Sequence, residues 1–209
     1  KFIVEVEYIG NILKSVQFER FYLDRVFYYS LTSLKSLFAA HGMRIIDAEE
    51  IEPHGGSIRV TACNNGRGRI ISDRVNRILE EEKTNLTNAK LEEFKQNVNS
   101  HITAFRAKLS DYQKLNLKVA VYGAPARVAT ICNYGNIGQE LIEFIVDDSP
   151  LKQNRFSPGT HIPIVPKNFL EANKPDVLVV FAYEYFADKK KKTGGNYKYL
   201  IPIPPREVV

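Results

Sequence analysis

Towards its C-terminal end the chain carries four short runs that are apolar almost without interruption, at residues 118–122, 143–147, 176–181 and 198–203. Three of them are rich in Val and Ile, and helical segments separate them. A strand that is apolar on both faces must be covered on both, which predicts an α/β fold with a parallel sheet between two layers of helices. Right-handed crossovers then make residues 118–209 a Rossmann-like domain.

The rest of the chain has two other periods. Residues 1–64 alternate short apolar runs with one helix, giving strands at 2–8, 43–46 and 57–63 and a helix at 31–41 stopped by Gly42. Thr32 and Ser33 offer capping hydroxyls, and the spacing of Leu34, Leu37 and Phe38 predicts that all three pack inward. Residues 65–117 show no strand signal. Apolar residues recur there at three and four, as in Val75, Ile78, Leu79 and then Leu91, Phe94, Val98, Ile102, Phe105, Leu109 and Tyr112. This predicts a helical connector, divided into two helices near residues 85–88.

Composition removes several classes. The 209 residues, 44% hydrophobic and 25% charged, suffice for a globular core. Two cysteines, Cys63 and Cys132, are too few for a disulfide framework or a Cys-based zinc site, so a cytoplasmic setting and no metal are expected. No stretch is long enough to span a membrane. The net charge of +5 is spread out, and its one dense run, Lys189-Lys190-Lys191-Lys192, reads as the solvated face or end of a helix. No stacking-aromatic pattern or recognition motif accompanies it, so a phosphorylated small molecule is a more economical anionic partner than nucleic acid. The chain begins with Lys1 rather than methionine, and residues 2–8 read as a strand in mid-fold without signal-peptide features. It is therefore expected to be a piece of a longer protein.

Ligands of open parallel sheets bind at the carboxyl ends of the strands. The first strand of the last region ends in Tyr122-Gly123-Ala124-Pro125-Ala126-Arg127. Gly123 permits close backbone approach and Arg127 can hold a phosphate or carboxylate, although a plain strand-to-helix turn fits equally well. Gly135-Asn136-Ile137-Gly138 lacks the preceding strand and third glycine of a dinucleotide fingerprint. The second strand ends in Asp147-Asp148, with Lys152 and Arg155 following. A carboxylate there can accept from ribose hydroxyls while the basic pair neutralises phosphate; a capped surface loop is the alternative. In the first region, residues 18–31 combine Phe18, Phe21, Tyr22, Phe27 and Tyr28 with Asp24 and Arg25, and His54-Gly55-Gly56-Ser57-Ile58-Arg59 follows. Such groups suit a cleft that orients a polar substrate and moves a proton. Spacing alone is met equally by a core of Phe18, Phe21 and Phe27 with Asp24 and Arg25 in solvent.

Together these segments resemble the sugar C-methyltransferase family, S-adenosylmethionine-dependent enzymes that methylate a carbon of nucleotide-linked keto-sugars. The family pattern Phe-Asp-x-x-Tyr-His-Glu-His-x-x-Tyr-x-Ser-Leu corresponds to residues 18–31, and His-Gly-Gly-Ser-x-Arg to residues 54–59. Tyr-Gly-Ala-Pro-Ala-Lys corresponds to residues 122–127, and Asp-x-x-Pro-Leu-Lys-Gln-x-Arg-x-x-Pro-Gly-Thr-x-Ile-Pro to residues 147–163. A Gly-Gly and Pro-x-Pro ending appears as Gly194-Gly195 and Pro202-Ile203-Pro204.

The resemblance implies that residues 1–64 are the C-terminal half of a methyltransferase domain beginning at its fifth strand, that 65–117 connect, and that 118–209 are the family's C-terminal domain. It implies S-adenosylmethionine for the parent protein. The cofactor's glycine-rich loop and ribose-binding acid would lie in the first half, so this chain alone is expected neither to bind the cofactor nor to turn over. The resemblance further implies catalytic places for Tyr22, Asp24, Arg25 and His54, and a nucleotide-sugar-like substrate facing Tyr28, Arg59, Gly123, Arg127, Lys152 and Arg155. Where the family has Tyr-His-Glu-His, this sequence has Tyr22-Leu23-Asp24-Arg25. Arg25 cannot act as a base, because a pKa above about 12 keeps it protonated. A desolvated Asp24 can, with Tyr22 and His54 as donors or relays and Arg25 stabilising an enolate or bound anion. The parent is then a methyltransferase acting on carbon or oxygen, or else a non-catalytic binding or assembly module on the same scaffold. Residues 2–8, without a fourth strand beside them, are expected to form an apolar edge that pairs with a second copy.

Overall fold

The computed structural model describes residues 1–22, 25–52, 55–66 and 68–208. The chain divides into two compact units, one of Lys1–Phe18 and Leu23–Asn97, the other of Glu19–Tyr22 and Val98–Val209.

The first unit contains β1 (Phe2–Glu7), α1 (Ile9–Lys14), α2 (Leu31–Ala40), β2 (Met43–Ile51), β3 (Ser57–Asn64) and α3 (Asp73–Asn85). Its three strands lie in the order β1-β3-β2, with β3 antiparallel to both neighbours. β2 continues past the expected residue 46 because a register shift between Ile45 and Asp47 resets its alternation, so that Ile45, Ile46 and Ala48 all turn inward. On the face of Ile45 and Ala48, Ile58, Val60 and Ala62 of β3 join the same core as Val75 and Ile78 of α3. Burying each such Val or Ile side chain stabilises the unit by about 1.5–3 kcal/mol.

α2 is capped by Ser30, whose hydroxyl accepts from Ser33 N while the Ser33 hydroxyl accepts from Ser30 N, rather than by Thr32. Thr32 serves a different partner. Its amide and hydroxyl, with the amide of Leu31, donate to the buried carboxylate of Glu82 at 2.8, 2.5 and 2.5 Å. Leu31, Leu34 and Phe38 form the buried stripe of α2. The expectation that Leu37 packs inward is corrected: it is 44% exposed, since i, i+3, i+7 spacing from Leu31 centres the stripe about a quarter-turn away from it.

From Val98 onward α4 (Asn88–Lys114) belongs to the second unit, where Val98, Ile102, Phe105, Leu109 and Tyr112 form its buried face. The unit continues with β4 (Val119–Tyr122), α5 (Ala126–Tyr134), β5 (Phe144–Val146), β6 (Arg155–Phe156), β7 (Pro163–Val165) and α6 (Lys167–Ala172). β8 (Val177–Val179), a 3₁₀ turn at Tyr183–Tyr185, α7 (Phe186–Lys192), β9 (Lys198–Pro202) and β10 (Pro205–Val208) complete it.

The seven strands lie in the order β10-β9-β8-β4-β5-β7-β6. The five inner strands are parallel, and β6 and β10 are antiparallel edges. This is the Rossmann-like α/β architecture expected from the apolar runs, with β4, β5 and β8 buried along their whole length. Strand order reverses between β4 and β8, the position at which such sheets open a crevice at their carboxyl ends.

Candidate functional site

A cleft of about 830 Å³ occupies that position. The loop Gly123, Ala124, Pro125 after β4 forms one wall. Gly123 holds φ +92°, a left-handed conformation that glycine adopts without strain, and the backbone there is left uncovered by any Cβ. α5 starts after Pro125 with no side-chain cap. The opposite wall is Ala182, Tyr185 and α7, and five lysines line the cleft: Lys152, Lys167, Lys189, Lys191 and Lys192.

Two carboxylates, Asp147 and Asp188, share the lining, and the first is already engaged. Asp147, 8% exposed, accepts from Ala124 N at 2.6 Å and from Ser149 N at 2.9 Å, and so ties the loop after β4 to the loop after β5. Lys152 Nζ donates to Ala124 O at 2.9 Å and lies 3.6 Å from Asp147. Lys189 Nζ stands 5.2 Å from the centre of the Tyr122 ring. The Tyr122 hydroxyl is pushed up by burial and by Asp148, to which it donates at 3.0 Å. The cleft thus gathers flexible point charges around an open glycine backbone, an arrangement suited to an extended, several-fold negative group such as a phosphate chain.

The residues expected to hold that group divide. Gly123 and Lys152 line the cleft. Arg155 lies on the edge strand β6, exposed and outside the lining. Arg127 is turned to another partner: its Nη1 donates to both carboxylate oxygens of Glu184, at 3.0 and 2.8 Å, and to Phe181 O at 3.2 Å. Burial opposes its charge, but Glu184, with Glu19 behind it, outweighs this and holds Arg127 above the ordinary arginine range. The lysine run forms the last turn of α7 with no residue buried, as its density predicts, and it also lines the cleft, which its density does not predict. The available signal was topological, since a helix that follows a buried parallel strand starts at the carboxyl edge of the sheet.

Glu184 also accepts from Arg20 Nη2 at 2.8 Å. Beside this pair the Tyr183 hydroxyl donates to Glu19 Oε1 at 2.8 Å, and the Arg127 guanidinium stands 5.4 Å from the Tyr183 ring. Glu19 is fully buried and Arg20 is 6% exposed. The 3₁₀ turn Phe18–Arg20 therefore leads into a segment, Glu19–Tyr22, that packs as part of the second unit. Tyr22 is half-buried in that segment.

In the first unit, Arg25 is ion-paired with Glu7 of β1, a side chain 7% exposed. Tyr28 is half-buried, and its neighbour Tyr29 bridges Tyr8 at the end of β1. Of the three phenylalanines weighed as core, Phe18 is buried, whereas Phe21 and Phe27 are 37% and 68% exposed. Arg59 sits on the central strand directly opposite Glu5 of β1 and Glu49 of β2, bonding each at 3.1 Å. Asp24 and His54 lie outside the described residues. Among the described residues no group of His, Cys, Asp and Glu could hold a metal, and no helix is long and apolar enough to cross a membrane.

Residues 52–204 match the family described as the C-methyltransferase C-terminal domain. The chain is also similar to C-methyltransferase NovU of Streptomyces niveus, at 30% identity over 216 aligned residues that cover 100% of this chain and 51% of that protein. It therefore spans about half the length of the curated relative it matches.

Proposed function

This chain belongs to the C-methyltransferase family through that family's C-terminal domain, and from that premise we propose that it is the substrate-holding part of an S-adenosylmethionine-dependent methyltransferase acting on a nucleotide sugar or a related small molecule. The observation that carries the reading is the cleft at the strand-order reversal, where five lysines outnumber the two lining carboxylates, Asp147 and Asp188, around an open glycine backbone. A cytoplasmic setting belongs to the same reading and is supported by two buried, unbridged cysteines.

The described residues do not fit S-adenosylmethionine itself. β1 passes into α1 through Tyr8 with no glycine-rich turn, and the cleft of the second unit is lined with lysines, the wrong charge for a sulfonium.

A second reading, a binding or assembly module without catalysis, is favoured by the pairing of Arg25 with Glu7 and of Arg59 with Glu5 and Glu49. Side chains that the resemblance places at the reacting centre and the substrate are here matched by carboxylates of their own sheet.

Calorimetric titration with nucleoside diphosphates tests the holding role. Binding that weakens on Lys189→Ala or Lys192→Ala supports it, and absence of heat in the wild type counts against it. A methylation assay on the protein in its natural full length, comparing wild type with Asp24→Asn on nucleotide sugars, separates enzyme from module.

A further inference from the structure

The 3₁₀ turn Tyr183–Tyr185 has contacts on two sides. Tyr185 lines the lysine cleft, and the turn continues without a break into α7, which supplies three of the lysines. Its other two residues hold the Glu19–Tyr22 segment, Tyr183 through Glu19 and Glu184 through Arg20. Glu184 also grips Arg127 in the first turn of α5, just beyond the Gly123–Pro125 wall. One carboxylate thus joins both walls of the cleft to the segment that ends in Tyr22. The side chains of Arg20 and Arg127 are only 7% and 16% exposed, so that carboxylate balances two poorly hydrated guanidinium groups at once, with Glu19 as a further charge beside Arg127.

We propose that Glu184 is a positioning residue that couples occupation of the lysine cleft to the order of Glu19–Tyr22, and so to the placement of Tyr22. The inference rests on the reading of the cleft as an anion site. A ligand that bridges Gly123–Pro125 and α7 fixes the distance between the two walls. The network then has one arrangement in which Glu184 satisfies both arginines, and local opening of Glu19–Tyr22 becomes less frequent.

Amide hydrogen exchange on the chain, with and without inorganic diphosphate, tests this. In the wild type, diphosphate should slow exchange in peptides covering 185–192 and, by at least about threefold, in those covering 19–22. In Glu184→Gln the slowing at 185–192 should remain and the slowing at 19–22 should vanish. A merely structural Glu184 would lower protection at 19–22 with and without ligand but leave the ligand-dependent increment intact, and that result overturns the proposal. Arg20→Lys, which keeps the charge and loses the guanidinium fork, should reduce the increment if the Gln variant does not fold; an undiminished increment overturns the coupling. Protection at 185–192 without any at 19–22 in the wild type refutes the coupling alone. No protection at either place removes the anion-site reading and the coupling with it.

Discussion

Lys192 Nζ lies 3.0 Å from the carboxylate of Asp148, an ion pair between the last turn of α7 and the loop that follows β5. Lys192 holds the Asp148 carboxyl below the usual carboxylate range, against some desolvation and with help from the Tyr122 hydroxyl. Because the folded pKa is lowered, the contribution to stability is complete above the unfolded value of about 3.9 and is lost as pH falls through the folded value. The two side chains are 55% and 43% exposed, so screening limits the contribution to at most about 1 kcal/mol. Thermal unfolding should show the wild type slightly more stable than Asp148→Asn near neutral pH, with the difference fading only below about pH 4. A difference that survives at the lowest pH contradicts this account.

The lysines of α7 should act additively on affinity. Lys189→Ala and Lys191→Ala are each expected to weaken diphosphate binding by roughly three- to tenfold, as befits partly exposed charges. The double variant should show a shallower dependence on salt than the wild type. Titration calorimetry at two ionic strengths measures both, and affinities insensitive to these changes would place the anion elsewhere.

Arg59→Ala provides a contrast. Its guanidinium is held above the ordinary arginine range by Glu5 first and, more weakly, by Glu49, so its removal leaves two carboxylates flanking an unfilled central position in the sheet. The expected result is a small fall in thermal midpoint with unchanged diphosphate affinity. A large loss of affinity would return Arg59 to the substrate.

Phe105 is fully buried on α4, with its ring edge-on to Phe181 at 6.0 Å. Phe105→Ala should cost about 3–5 kcal/mol in denaturant unfolding. A cost below about 1 kcal/mol would mean that the site collapses to fill the cavity.

β1 pairs with β3 on one side, and among the described strands it has no neighbour on the other. Phe2 and Ile3 are 50% and 62% exposed. Light scattering of the chain is expected to give the mass of a dimer, and Ile3→Lys to return it to a monomer, because an edge lysine opposes strand pairing. A wild-type monomer at high concentration would dismiss the paired edge.

The legible part of this fold is the part whose burial is carried by its own composition. The four apolar runs are β4, β5, β8 and β9, and the helix break near 85–88 is the gap between α3 and α4. β6 and β10 carry no such mark, since their residues are largely exposed and become strands only through pairing with β7 and β9. The candidate site divides in the same way. Gly123 and Lys152 follow from their positions just past buried strands. The partner of Arg127 lies 57 residues further along, and no local period announces it. The lysine run is plain to see, yet its direction depends on β8 lying beside β4.

Asp147 draws together the loops after β4 and β5 through two backbone amides, with no ligand needed to do so. The conformational freedom of those loops is therefore lost when the domain folds and not when an anion arrives. Capture should then be limited by encounter rather than by loop closure, giving a fast, strongly salt-sensitive association rate and a residence time set by how quickly the lysines let go.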